Sequence, residues 1–232
     1  MKKLIIANWK LNPSTLAEAQ ELAGQISAKA KNKVVLCPPT IFLPQINYPN
    51  LGAQDCFWKE KGPFTGQTSP AQLKSLGLKY CIVGHSEKRA VGDTDEMVNA
   101  KIKALLEHKI TPVLCVGFGT TVEQDDLEVV DVLKTQLDTG LAGVDASQVV
   151  VAYEPVWAIS KGNPYATKAA DAEHAEKMAI FIKTKYKTGK VIYGASVNAN
   201  NAKGFLQQPN IDGLLTGGVS LIAKDFNQII NY

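Results

Sequence analysis

Residues 149–155 read Val-Val-Val-Ala-Tyr-Glu-Pro, an apolar run that passes without a break into a carboxylate. A strand apolar at every position is buried on both faces, as happens in a parallel sheet covered by helices. Glu154 at its end is costly to bury unless something uses it. Pro155 removes a backbone donor and fixes φ, so the strand stops there and the carboxylate's position is set.

Seven further runs share this character: 4–10, 34–39, 51–56, 79–85, 110–117, 191–197 and 211–218. Amphipathic stretches lie between most of them. In 14–30, Leu16, Ala19, Leu22, Ala23 and Ile26 recur at three- and four-residue steps, the helical period. Val98, Ile102 and Leu105 repeat it in the fourth connection, and Ala175, Met178 and Ile182 in the sixth. The helices near 40–47 and 70–76 are short and weakly patterned. Strands each followed by a helix imply parallel pairing through right-handed crossovers. The fold predicted is α/β, an eight-stranded parallel β/α barrel, with an open doubly wound sheet as the alternative. No linker, low-complexity tract or shift of composition divides the chain, so residues 1–232 are expected to form a single domain.

The 25 basic residues are scattered among 22 acidic ones, for a net charge of +3. That balance supplies no basic stripe for nucleic acid or an anionic membrane, but leaves room for a small anionic substrate. The N-terminal apolar run is only Leu4–Ala7, where a secretory core needs roughly 7–15 apolar residues. No segment approaches the ~20 apolar residues of a membrane span. Cys37, Cys56, Cys81 and Cys115 are far apart and form no CxxC pair, so they read as buried free thiols in a reducing cytoplasm.

In a β/α barrel, chemistry sits at the carboxyl ends of the strands. Those ends carry Asn8 and Lys10, His85, Glu154, Ser196, and Gly217 with Gly218. Each has a plainer reading alone: a lysine snorkelling to solvent, a satisfied structural histidine, a salt-bridged glutamate, ordinary loop glycines. Their collection on one rim is what favours function. Lys10 and Asn8, two residues apart, are expected on the same side of the first strand. His85 precedes Ser-Glu-Lys-Arg, which can open a helix, and the positive end of a helix dipole disfavours an imidazolium. A neutral imidazole there can donate to a carbonyl. His108 and His174 lie on helical stretches and read as surface or packing residues. The turns 193–197 and 214–221 place small residues before helices, where backbone N–H groups bind phosphate. Residues 117–122 begin like a dinucleotide fingerprint but have Val122 in place of the third glycine, and no acidic cluster has metal spacing, so no cofactor or metal is expected.

A carboxylate base, a neutral donor, a lysine and a phosphate cradle suit proton abstraction next to a carbonyl. Reprotonation at the neighbouring carbon makes an aldose–ketose isomerisation. Val156 and Trp157, folded over the base as a lid, would exclude water and raise its basicity.

The stretches ANWKLN (7–12), CPP (37–39), FTG (64–66), GHSEKR (84–89), YEPVWAI (153–159), YGASV (193–197) and LLTGGVSL (214–221) together resemble the triosephosphate isomerase family, in its order and near its spacing. The resemblance covers essentially the whole chain and implies a TIM barrel that interconverts dihydroxyacetone phosphate and D-glyceraldehyde 3-phosphate in glycolysis and gluconeogenesis. A glutamate base beside a neutral histidine is the established arrangement of that very family. By resemblance Glu154 is the base, His85 the electrophile, Lys10 and Asn8 contacts to the substrate oxygens, and Glu87 the acidic residue after the histidine. Ser160, Ser196, Gly217 and Gly218 fall where the family's backbone holds phosphate. Pro155, Val156, Trp157, Ala158, Ile159, Ser160, Lys161 and Gly162 match its lid. Phe64, Thr65 and Gly66 resemble the loop that inserts beside a neighbouring subunit, which implies a homodimer.

Departures fall on the lid and the subunit contacts. Ser160–Tyr165 replaces the usual Gly-x-Gly-Lys pattern, and Pro164 restricts Asn163 and itself at the lid's C-terminal hinge, which points to altered lid kinetics. Phe118 replaces a glutamate that can hold the lid tryptophan in the family. Ala195, Gln67 and Lys88 stand for a usual glycine, glutamate and arginine. The chain is also somewhat short for the bacterial-type family. Two alternatives stay open: another sugar-phosphate isomerase or epimerase on a phosphate-binding barrel, and a catalytically impaired barrel that only binds phosphate ligands.

Overall fold

A computed structural model describes residues 2–159 and 171–232. Its eight strands are β1 (Leu4–Asn8), β2 (Lys33–Cys37), β3 (Gly52–Ala53), β4 (Tyr80–Val83), β5 (Thr111–Val116), β6 (Val150–Tyr153), β7 (Lys190–Tyr193) and β8 (Gly213–Thr216). All pair in parallel, in the order β2-β1-β8-β7-β6-β5-β4-β3. A bridge from Leu36 to Leu51 joins the two ends, supported by the Leu36 N–H donated to the Asn50 carbonyl at 3.0 Å. Each strand thus neighbours those before and after it in sequence, the topology of a closed barrel and not of the open alternative.

The helices are α1 (Leu16–Gln25), α2 (Pro70–Ser75), α3 (Ser86–Arg89), α4 (Asp95–Glu107), α5 (Asp126–Gly140), α6 (Ala172–Tyr186), α7 (Ala202–Leu206) and α8 (Ala223–Ile230). The connection after β2 is a 3-10 turn, Thr40–Gln45, interrupted by Pro44, which explains its weak periodicity. α1 starts at Leu16, the first residue of the apolar pattern, because Thr15 and Glu18 form a reciprocal capping box just before it. Asp125 with Glu128 does the same for α5.

Period-two alternation sorts the strand residues into two layers. Leu4, Ile6, Val35, Cys37, Ile82, Val113, Cys115, Val150, Ala152, Ile192 and Leu215 fill the barrel interior. Ile5, Ala7, Leu36, Val83, Leu114, Val151, Tyr153 and Tyr193 face outward and pack with helix residues such as Val98, Ile102 and Ile182. Fully burying each of these aliphatic side chains stabilises the fold by roughly 1.5–3 kcal/mol before the entropy cost. The four cysteines are buried and free, three of them in strands.

The strands are shorter than their apolar runs, and β3 is only two residues long where the sequence predicts 51–56. A Cβ on Gly52 would lie 2.8 Å from Cys37 Sγ and one on Gly213 only 1.8 Å from the Leu4 carbonyl oxygen, so strands approach too closely there for any side chain. Among the described residues no helix is long and apolar enough to cross a membrane.

Candidate active site

The strand ends converge on a cavity of ≈ 230 Å³ whose walls include Asn8, Lys10, His85, Glu154, Ser196, Gly217 and Gly218. Glu87 stands just outside it and reaches in through Lys10. Ser160, Lys161, Gly162, Asn163, Pro164 and Tyr165 lie outside the described residues.

β1 stops at Asn8, and Lys10 is reached by a different route from strand alternation. Lys10 has φ 55°, in the left-handed region, so the chain turns before it. Such a conformation in a non-glycine residue costs on the order of 1–3 kcal/mol and persists only where the surroundings enforce it. Here the Asn8 side-chain oxygen accepts from the Lys10 N–H at 3.0 Å, and Gln54 Nε2 donates to the Lys10 and Cys37 carbonyls at 2.8 and 2.9 Å. The turn carries Lys10 Nζ to within 2.7 Å of Glu87 Oε1, and its Cε lies 3.3 Å from where a Cβ on Gly217 would be.

β4 leads through Gly84, φ 65°, into His85, which caps α3. His85 Nδ1 accepts the Glu87 backbone N–H at 3.2 Å. An accepting Nδ1 carries no proton, so the ring proton sits on Nε2, which points at Glu154 Oε1, 3.3 Å away.

Glu154 is 2% exposed. Burial pushes its carboxyl above the ordinary carboxylate range; the His85 ring, the Ser86 N–H at 3.4 Å from Oε2, the Lys10 cation and the Cys115 thiol pull the other way. Two glycines make room for it. A Cβ on Gly194 would be 2.9 Å from Glu154 Cγ, and one on Gly117, which has φ 114°, would be 2.5 Å from the Glu154 carbonyl oxygen.

Beyond Pro155 the start of the segment matched to the family's lid, here the lid base, forms a 3-10 turn, Val156–Ala158. Thr120 Oγ1 accepts the Val156 N–H at 3.2 Å and donates to the Gly117 carbonyl at 2.7 Å. The Ala158 carbonyl accepts from both the Ser196 N–H, at 3.1 Å, and its hydroxyl, at 2.5 Å. Ser196 thus lines the cavity with its donors turned to the lid base. At β8 the Gly217 carbonyl accepts from Ser220 N–H and Oγ, at 2.9 and 2.6 Å, which shapes the turn and leaves Gly218 with open space on its Cα. Phe64, Thr65 and Gly66 lie on an exposed loop, with the Phe64 ring 4.7 Å from Phe57. Among the described residues no three His, Cys, Asp or Glu side chains come together to hold a metal ion.

The family model described as triosephosphate isomerase matches residues 3–232. The chain belongs to the triosephosphate isomerase family. Curated members named triosephosphate isomerase include one from Thermoanaerobacter sp. (strain X514), 39% identical over 250 aligned positions covering 100% of both chains. Another, from Caldanaerobacter subterraneus subsp. tengcongensis, is 40% identical over 249 positions with the same coverage. A third, from Bdellovibrio bacteriovorus, is 39% identical over 240 positions and 99% of each chain. The first two alignments are longer than the 232 residues they cover, so this chain is shortened internally relative to those family members.

Several supporting residues carry no mark in the sequence. Gln54, Thr120 and Arg89 act by bonding backbone groups of other residues, through an amide, a hydroxyl and a guanidinium, and nothing local signals that. His174 is half-buried against the lid base, hydrogen-bonded through both ring nitrogens.

Proposed function

We propose that this chain is a working triose-phosphate isomerase. The observation that carries the reading is the buried Glu154 carboxyl 3.3 Å from His85 Nε2, in a cavity that also holds a lysine. Ionised Glu154 takes a proton from C1 of dihydroxyacetone phosphate, while His85 Nε2–H and Lys10 Nζ, with Asn8 beside them, stabilise charge on the two enediolate oxygens. A proton passes from O1 to O2 by way of His85 Nε2, the Glu154 carboxylic acid returns its proton to C2, and glyceraldehyde 3-phosphate results. No electron leaves the substrate, so the step needs no redox partner. Glu87 holds Lys10 in place. The phosphate lies against the backbone of Gly217 and Gly218, with Ser160 and Ser196 joining once the lid from Pro155 to Gly162 closes and Ala158 releases Ser196. Phe64–Thr65–Gly66 reaches a second copy in a homodimer, and the enzyme serves glycolysis and gluconeogenesis in the cytoplasm.

The test is isomerisation of glyceraldehyde 3-phosphate coupled to a glycerol-phosphate dehydrogenase, for the wild type beside Glu154→Gln. Fast turnover by the wild type and a loss of about 10²–10⁴-fold in the variant is the expected result. A wild type that binds phosphate ligands without turnover makes the chain the impaired barrel instead. Turnover of a different sugar phosphate would move it to another isomerase or epimerase.

A further inference from the structure

On the side of β6 that faces the helices, behind the base, three side chains from three elements form one hydrogen-bonded chain. Tyr153, the last residue of β6, is fully buried and its hydroxyl lies 2.8 Å from His174 Nε2. His174 Nδ1, on the first turn of α6, lies 2.9 Å from Asp126 Oδ1 at the start of α5. Lys177 takes the other Asp126 oxygen at 2.8 Å. The proton inventory of this chain is determined by its ends. Lys177 first, with His174, holds the Asp126 carboxyl below the usual carboxylate range, so Asp126 only accepts. Nδ1 therefore carries the ring proton, and Nε2 accepts from the phenol. Burial, aided by Tyr193 and Asp126, pushes the Tyr153 phenol far up, so it remains a donor.

The same imidazole touches the lid base. The Trp157 ring meets it edge-on, 6.1 Å between centroids and 60° between planes. The indole N–H is buried with no acceptor among the described residues. Phe118 supplies no side-chain acceptor; its carbonyl is taken by Gln136 at 2.6 Å. Among the described residues, ring packing is thus what holds the Trp157 side chain. Tyr153 directly precedes Glu154 and Trp157 follows three residues later, so His174 grips the chain on both sides of the carboxylate without lining the cavity.

We infer that His174 is a positioning residue for the base: oriented by Asp126, it fixes Tyr153 and Trp157 and thereby the segment that carries Glu154. This rests on the reading of Glu154 as the base.

Three variants separate positioning from packing. His174→Leu removes both hydrogen bonds and keeps apolar bulk. His174→Gln places an amide near the position of Nε2 and keeps an acceptor for Tyr153. His174→Asn reaches only the position of Nδ1 and serves Asp126 alone. Expected for Leu and Asn is a loss in kcat of about ten- to a hundred-fold with KM changed less, and for Gln a kcat within about three-fold of wild type. The Trp157 indole resonance in ¹⁵N-labelled enzyme, assigned with Trp157→Phe, should be broadened by microsecond-to-millisecond exchange in Leu and Asn and sharp in Gln and wild type. That second readout needs no substrate. A wild type without turnover would sink the isomerase reading and still leave the indole spectra to decide this one. Unchanged kcat with a sharp indole in His174→Leu, or Asn and Gln behaving alike, overturns the inference. Should His174→Leu fail to fold, Tyr153→Phe deletes only the hydroxyl and is followed by the same two measurements. A lowered kcat with a broadened indole then supports the inference, and an unchanged kcat with a sharp indole overturns it.

Discussion

The ends of β4 and β6 place two candidate catalytic groups, His85 and Glu154, 3.3 Å apart and hold them in opposite ways. Behind His85, the buried Arg89 guanidinium donates to the Gly84 carbonyl at 2.8 Å and the Cys115 carbonyl at 3.4 Å, and pairs with Asp95 at 2.5 Å. The imidazole itself caps a helix. Glu154 has no such clamp on its carboxylate: among the described residues its oxygens receive the 3.3 and 3.4 Å contacts from His85 and Ser86 and the weak donor of the Cys115 thiol. Bonds of that length are weak and cheap to exchange. The difference fits the two tasks proposed for them. A donor that polarises a carbonyl works best in one orientation, whereas a base that takes a proton from one carbon and returns it to the next has to shift between them.

Cutting the clamp at β4 should give the largest effect on the fold. Arg89→Met leaves two buried carbonyls and the part-buried Asp95 without their partner, and each buried polar group so orphaned costs about 1–3 kcal/mol. In a chain of this size that corresponds to a fall in Tm on the order of 10 °C, read by thermal unfolding followed by circular dichroism. A loss under about 1 kcal/mol would show that the β4 corner is held by something else, and the asymmetry between the two ends would go with it.

One step smaller, His85→Gln tests the donor rather than its mount. Losing a preorganised donor to a developing oxyanion costs about 10²–10³-fold in kcat. The stability change should stay near the ~1 kcal/mol of a lost helix cap, because Arg89 still holds the corner. A variant that unfolds easily yet turns over well would invert the assignment of fixed scaffold and working group.

The barrel is legible because eight apolar runs and the helical periods between several of them leave few topologies. The candidate site residues are legible because a barrel puts its chemistry at strand ends, and charged side chains interrupt apolar runs there. What escapes depends on contacts across the chain. The two-residue spacing from Asn8 puts Lys10 on a strand, but its left-handed turn is enforced by Gln54, a residue 44 positions away. Ser196 reads as a phosphate donor, yet both its donors turn to Ala158 because the lid base lies against β7. His174 looks like a packing residue because neither Asp126 nor Tyr153 is near it in sequence; only the docking of α5 and α6 on β6 brings them together.

The subtlest effect belongs to the base itself, and its sign is fixed by burial. With its carboxyl held above the ordinary range, Glu154 binds its proton more tightly in the folded chain than in the unfolded one. The stability this gives is fully present below the unfolded value, about 4.3, and is lost as pH rises through the folded one. At neutral pH the wild type therefore carries a buried charge that its long contacts only partly offset. Glu154→Gln, close in shape and never charged, should melt at a higher temperature than wild type near neutral pH, with the gap closing as pH falls toward the unfolded value, about 4. The acid limb of wild-type kcat/KM should lie above the value for a free glutamate for the same reason. A gap that does not depend on pH, or that favours the wild type at neutral pH, would mean that His85, Ser86 and Lys10 outweigh burial. The carboxylate would then be as firmly held as the histidine, and a base free to move between two carbons would need another explanation.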